Sequence, residues 1–337
     1  MAAIKAAQPG PGHAFAGLPA KDRALLTEMG PRWSRDITGN RQKVLDIYTP
    51  VLAASDRTGL RVTADISYGS HTRHRLDIYQ PAAAIDTRAS QPAQLPVVVF
   101  VHGGAFLRGN MNANAEIYGN VPRYFARHGF VAINLEYRLA PEAAYPGGAE
   151  DVAAALAWIR AHIAAYGGNP QHIVLLGHSA GGAHAAAYAL DPQLQQAGSE
   201  AAISGLMLVS ARLRADALPD NPNAGGVRAY WGDDAARYEQ LSPVTHAAGI
   251  KVPTMVVVAE FENPYLDEYG AEFYHRIVQA SNLQASAVPQ AKKISHRFLQ
   301  VLKHNHTSIV AHLDTEDQTL GPALIEFMAS TRPLAPD

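Results

Sequence analysis

Five short runs in the middle of the chain are apolar at consecutive rather than alternate positions: "PVVVFVHGG", "GFVAINLEY", "HIVLLGHS", "ISGLMLVS" and "VPTMVVVAE". A strand with one face in water alternates polar and apolar residues, whereas a strand apolar on both faces must be covered on both sides. Helical patterns lie between the runs, in "NANAEIYGNVPRYFARHG", "GAEDVAAALAWIRAHIAAYGG" and "AGGAHAAAYAL". This alternation specifies an α/β fold, a doubly wound and mostly parallel sheet flanked by helices. Ahead of it, "VTADISYG" and "HRLDIYQP" alternate and read as strands near a sheet edge, while "RFLQVLKH" reads as a last strand and "QTLGPALIEFMAS" as a closing helix. Residues 82–95 read as a surface loop. Residues 1–17 are rich in Gly, Pro and Ala and read as a flexible arm. Two helical patterns follow within 19–55, with Pro50 expected to break or bend the second. The expected organisation is an N-terminal helical extension over 1–60, forming part of a pocket wall, and one α/β domain over 61–337.

Composition narrows the function. With 337 residues, 47% of them hydrophobic, and a formal net charge of −2, the chain has ample apolar content for a large core and no charge excess that would recruit nucleic acid or an anionic membrane. It has no cysteine, which excludes disulfides, thiolate metal sites and a cysteine nucleophile. No apolar run approaches the length of a membrane span, and the N-terminus lacks the apolar core of a secretory signal, so a cytoplasmic location is expected.

The chemistry centres on "LLGHSAGG". Gly177, His178, Ser179, Ala180 and Gly181 fit G-x-S-x-G, between a strand expected at 172–176 and a helix expected from about 180. On such a turn the hydroxyl projects above the sheet edge, and small neighbours are needed to avoid backbone collisions. The helix that follows aims its first N–H groups at the place where negative charge would develop. A serine that merely caps that helix is the competing reading. Serine is a weak nucleophile and needs a base, an orienting acid and an oxyanion site. "FVHGGAF" follows another strand, and the amides of Gly103 and Gly104, with that of Ala180, are the expected oxyanion donors.

A base and an acid should come later in the chain. "VPTMVVVAEFENPYLDEYG" is the one late strand followed directly by carboxylates, giving Glu262, Asp267 and Glu260 as candidates, with Glu262 favoured for its place in the loop. "LKHNHTSIV" offers His304 and His306; their spacing raises a metal pair, but no further ligand is evident, and His306, at the start of a helix, is preferred as the base. His296 and His312 read as surface or packing residues, and Asp151 as a helix cap or loop anchor. The loop 211–240 carries Tyr230 and Trp231 as candidate pocket aromatics, with core packing as their competing role.

Together, "HGGAF", "EYRLAPEAAYPGGAEDVAAALAWI", "GHSAGG" and "HNHTS" resemble the hormone-sensitive-lipase-like and arylformamidase-like esterases of the α/β-hydrolase fold, over about three-quarters of the chain. That resemblance implies Ser179 as nucleophile, Gly103 and Gly104 in the oxyanion hole and His306 as base. The group's acid is usually an aspartate followed by proline, whereas this chain reads "FENPYLD", so Glu262 stands in for it. The implied activity is carboxylester hydrolysis of short-chain or aryl esters through an acyl-enzyme. A formamide or amide hydrolase is the nearest alternative, and an idle binding module on the same fold is a third. The expected partner is a small ester, with no cofactor, metal or nucleic acid, and whether the chain works alone or as a homo-oligomer is left open.

Overall fold

The runs apolar on both faces become the inner strands of one eight-stranded sheet with helices on both sides. The computed structural model describes residues 13–85, 94–190, 203–287 and 293–331. Helices α1 (Ala20–Met29) and α2 (Ile37–Ala53) precede strands β1 (Leu60–Ser67), β2 (Arg75–Pro81) and β3 (Leu95–Val101). Next come α3 (Asn120–Arg127), β4 (Val131–Leu135), α4 (Gly147–His162), β5 (Gly168–His178) and α5 (Ala180–Leu190). The remainder holds β6 (Gly205–Val209), α6 (Ala224–Trp231), α7 (Tyr238–Leu241), β7 (Thr254–Phe261) and α8 (Leu266–Ala287). It closes with β8 (His296–Asn305), α9 (Ser308–Ala311) and α10 (Gly321–Ser330).

The strand order is β1-β2-β4-β3-β5-β6-β7-β8. β1 and β2 pair antiparallel at one edge, and every pairing from β4 to β8 is parallel. β3 shows why its sequence is unbroken. Val98 and Phe100 enter a core shared with α1, α2, α3 and α10, while Val97, Val99 and Val101 enter a second core with α4, α5 and α8. Each such side chain contributes about 1.5–3 kcal/mol by leaving water. Shifting the strand by one residue would exchange its two faces but expose neither.

Four expectations need adjustment. The helix read in "NANAEIYGNVPRYFARHG" begins only at Asn120, because Asn114 Oδ1 accepts the amides of Glu116 and Ile117 and holds a turn there. Pro50 does not break α2, which runs on to Ala53; the proline sits in the last turn, and its carbonyl caps the Ala54 amide at 3.2 Å. The segment 211–240 carries α6 and most of α7 rather than loop alone. Of the loop read at 82–95, residues 82–85 form a 3-10 turn, and residues 86–93 lie outside the described residues, as does most of the N-terminal arm. No helix among the described residues is long and apolar enough to cross a membrane.

Parallel strands end on a common rim. The segments leaving β3, β5, β6, β7 and β8 deliver Gly103, Ser179, Ser210, Glu262 and His306 to it. Ligands of open α/β sheets bind outside this same edge.

Candidate active site

Ser179 lies between β5 and α5 with φ +55°, in the left-handed region that a serine occupies at a cost of about 1–3 kcal/mol. Backbone bonds hold it there. Its amide donates to the Val209 carbonyl at 3.1 Å, and its own carbonyl accepts from Gly182 at 3.1 Å and Arg212 at 3.0 Å. The flanking His178 and Ala180 are buried, yet Ser179 is only half-buried, so the hydroxyl opens towards the rim. Gly181 has no room for a side chain: a Cβ there would lie 2.2 Å from the Val101 carbonyl oxygen.

The base and acid converge on that hydroxyl. His306 Nε2 is 3.1 Å from Ser179 Oγ, and His306 Nδ1 is 2.7 Å from Glu262 Oε2. A carboxylate can only accept, so Nδ1 carries the ring proton and Nε2 presents a lone pair to the serine. Glu262 Oε1 accepts from the Ala259 amide at 2.8 Å and from the Ser210 hydroxyl. The Glu262 side chain is 2% exposed and that of His306 9%, which shields the pair from competing water. His178, which burial holds well below the usual imidazole range and so keeps neutral, donates through Nε2 to the His306 carbonyl at 3.0 Å.

The rival carboxylates stay apart. Glu260 remains in β7, exposed, and accepts the Lys303 amide, while Asp267 lies exposed in the first turn of α8. His304 points into the interior. Asp151 is a loop anchor rather than a cap: it accepts the Arg138 amide at 2.8 Å and takes its guanidinium, within a helix whose N-cap is Pro146. His312 is buried and donates Nδ1 to the Ser308 carbonyl at 2.8 Å, and His296 bonds Ser281 from β8.

The loop after β3 presents Gly103 against the serine; a Cβ on Gly103 would be 3.0 Å from Ser179 Cβ. The same Cβ would lie 3.1 Å from the buried Tyr118 hydroxyl oxygen, so the loop has no room for a side chain there. Gly104 turns sharply, accepts the Arg108 amide at 3.1 Å, and would place a Cβ 1.8 Å from the Arg108 oxygen. The expected trio of amides, from Gly103, Gly104 and Ala180, thus comes from this loop and from the residue after the serine. Behind the loop, buried Glu136 accepts from His102 at 3.1 Å, from the Met111 amide at 2.9 Å and from Arg73. Burial raises its carboxyl, but those bonds outweigh burial and hold it below the usual range.

Tyr230 and Trp231 do not form an open wall. They are 2% and 4% exposed and pack on Phe106, Tyr230 stacking at 4.7 Å between ring centroids. Core packing accounts for them.

Several residues that position the site carry no motif. Ser210, with φ +48°, orients the acid. Trp33, buried between α1 and α2, donates Nε1 to Asn263 Oδ1 at 2.9 Å and so ties the N-terminal segment to the acid loop. Only the strand ends that hold Ser210 and Asn263 hinted at them.

A BD-FAE family model matches residues 76–205. The chain is 36% identical over 141 residues to the probable carboxylic ester hydrolase LipM of Mycobacterium tuberculosis, covering 41% of this chain and 31% of that protein. It is 32% identical over 133 residues to carboxylesterase NlhH of the same species, covering 40% and 36%. It thus spans about a third of the length of these curated relatives. Among solved structures, a thermostable esterase of Pseudomonas putida ECU1011 superposes with a TM-score of 0.64 at 19% identity, covering 97% of this chain and all of that one. A bacterial heroin esterase does so with 0.67 at 22% identity, covering 95% and all of that chain. Sheet order, strand-to-helix turn and these likenesses together make the chain an α/β-hydrolase-fold protein, similar to esterases.

Proposed function

We propose that the protein is a serine carboxylesterase acting on short-chain or aryl esters, with Ser179 as nucleophile, His306 as base and Glu262 as orienting acid. The observation that carries this reading is the continuous line from Glu262 through His306 to Ser179, at 2.7 and 3.1 Å. His306 takes the hydroxyl proton as Oγ attacks the acyl carbonyl, and Glu262 holds the imidazole in the required tautomer and stabilises its charged form. The Gly103, Gly104 and Ala180 amides receive the developing oxyanion; each such donor is worth about 2.7–4 kcal/mol in a transition state of this kind. The protonated His306 then gives its proton to the departing alcohol. Water, activated by the same imidazole, attacks the acyl-enzyme and restores the serine. Residues 1–60 are read as part of the pocket wall, supported by the bond from Trp33 to the acid loop.

Incubation with a fluorophosphonate followed by peptide mass spectrometry tests the reading. Label on Ser179 together with p-nitrophenyl ester turnover supports it. An unlabelled Ser179 overturns it in favour of an idle binding module. Faster cleavage of an N-formyl arylamine than of its matched ester would keep the mechanism and replace the substrate class.

A further inference from the structure

Two residues before His306 a second imidazole meets a carboxylate, this time in the interior. The ligating atoms of His304, His312 and Asp317 all lie within 4.8 Å of one another, and all three residues are buried. His304 Nε2 is 3.2 Å from Asp317 Oδ2. Thr319 Oγ1 sits between the rings, 3.0 Å from His304 Nε2 and 3.4 Å from His312 Nε2.

Counting protons shows what this cluster lacks. His312 Nδ1 is 2.8 Å from the Ser308 carbonyl, which can only accept, so the ring proton is on Nδ1. In the neutral ring, Nε2 then presents a bare lone pair to the cluster. Thr319 has one hydroxyl proton, and its nearest acceptor is Asp317 Oδ1 at 2.7 Å. The same carboxylate already accepts the Phe15 amide at 2.6 Å and the Thr319 amide at 3.0 Å. With the His304 ring proton on Nδ1, given to Ser308 Oγ at 3.1 Å, lone pairs outnumber protons around one point. Beside them the buried Tyr48 hydroxyl, which feels the Asp317 charge, has no hydrogen-bond partner among the described residues.

We propose that His304, His312 and Asp317 form a structural site for a divalent transition-metal ion of the zinc class, with the Thr319 hydroxyl at its fourth corner. Zinc bonds of about 2.0–2.2 Å in a tetrahedron separate neighbouring ligand atoms by roughly 3.3 Å. The separations of 3.0, 3.2 and 3.4 Å match that edge. The second ring N–H of His312, donated to a backbone carbonyl, is the kind of bond that orients a ligating imidazole. Four protein ligands, three of them buried and Thr319 half-buried, leave no open coordination position for a substrate, so the ion's role is mechanical. It joins the end of β8, two residues from His306, to α9, to the 317–319 turn and, through Asp317, to Phe15.

The test uses the full chain, stripped with a chelator, incubated with Zn²⁺ and passed through gel filtration. The expected result is about one zinc retained per chain, with a melting temperature that rises by several degrees on loading and falls again with chelator. Co²⁺ in place of zinc should give the visible absorption of a tetrahedral site. His312→Gln should retain far-UV circular dichroism and lose both the metal and the thermal shift. A wild-type chain that keeps under roughly a tenth of an equivalent and melts identically with or without zinc overturns the proposal, leaving a metal-free His304–Asp317 hydrogen bond. Zinc held equally well by His312→Gln would place the ion elsewhere and overturn it too. The wild-type arm decides the matter even if the variant does not fold.

Discussion

His304 and His306 stand two residues apart at the end of one strand, and each meets a carboxylate, Asp317 at 3.2 Å and Glu262 at 2.7 Å. They differ in what the other ring nitrogen meets. His306 Nε2 faces a half-buried serine on the sheet rim, whereas His304 Nδ1 faces the Ser308 hydroxyl, 3.1 Å away in the interior. β8 ends at Asn305, between the two, and the chain turns there. A histidine–carboxylate pair thus becomes a base only where a nucleophile and a substrate can reach it. The same pair a few ångströms deeper is part of the framework.

Substitutions can break this contrast or sharpen it. Ser179→Ala is expected to lower p-nitrophenyl ester turnover by about 10⁴–10⁶-fold with an unchanged melting curve. His306→Ala should cost a similar factor in turnover. His304→Ala should do the reverse, destabilising by about 3–5 kcal/mol in denaturant titrations because it strands the Asp317 charge, while the folded fraction keeps most of its activity. Equal kinetic losses for the two histidines would erase the distinction.

Smaller effects probe the acid. Glu262→Gln is expected to reduce kcat by about 10²–10⁴-fold, against no measurable change for Asp267→Asn or Glu260→Gln. If either of those substitutions matched Glu262→Gln, the acid would be misassigned. Ser210→Ala removes one hydroxyl from the carboxylate and should lower kcat about 3–10-fold, in line with roughly 1 kcal/mol for such a bond. Stability should also slope with pH. Burial lowers His184 to about 3 and His296 to about 4, below the unfolded imidazole value near 6.5. The unfolded chain therefore binds protons first as pH falls, and the stability present above 6.5 drains away between that point and about 3. Melting temperatures measured across that range should decline steadily, and a flat profile would contradict the two neutral rings.

The sequence revealed the two halves of the site to different depths. The serine turn is local: strand, small residues and helix all lie within about a dozen positions, so a motif describes it. The acid and base come from loops 44 residues apart, and only chain order and strand ends pointed to Glu262 and His306. The inner strands were legible because burial on both faces leaves an unbroken apolar run. Helix α3 was overextended because Asn114 side-chain bonds competed with helix formation, a contest that apolar periodicity does not register. Ser210 and Asn263 had no signal beyond their places at strand ends, and Glu136 none, since each acts through hydrogen bonds to residues distant in sequence. Tyr230 and Trp231 were open in the sequence: aromatic residues in a polar segment allowed a wall or core packing, and they pack in the core.

The 2.2 Å clearance at Gly181 also bears on how such a protein can diversify. Even a methyl group there would push on the end of β3, and with it on the loop that carries Gly103 and Gly104. The serine turn and that loop are in effect one machined part, and tinkering with either misaligns both. New substrate preferences in descendants of this chain, natural or bred in the laboratory, would have to be written into the surrounding segments that frame the mouth.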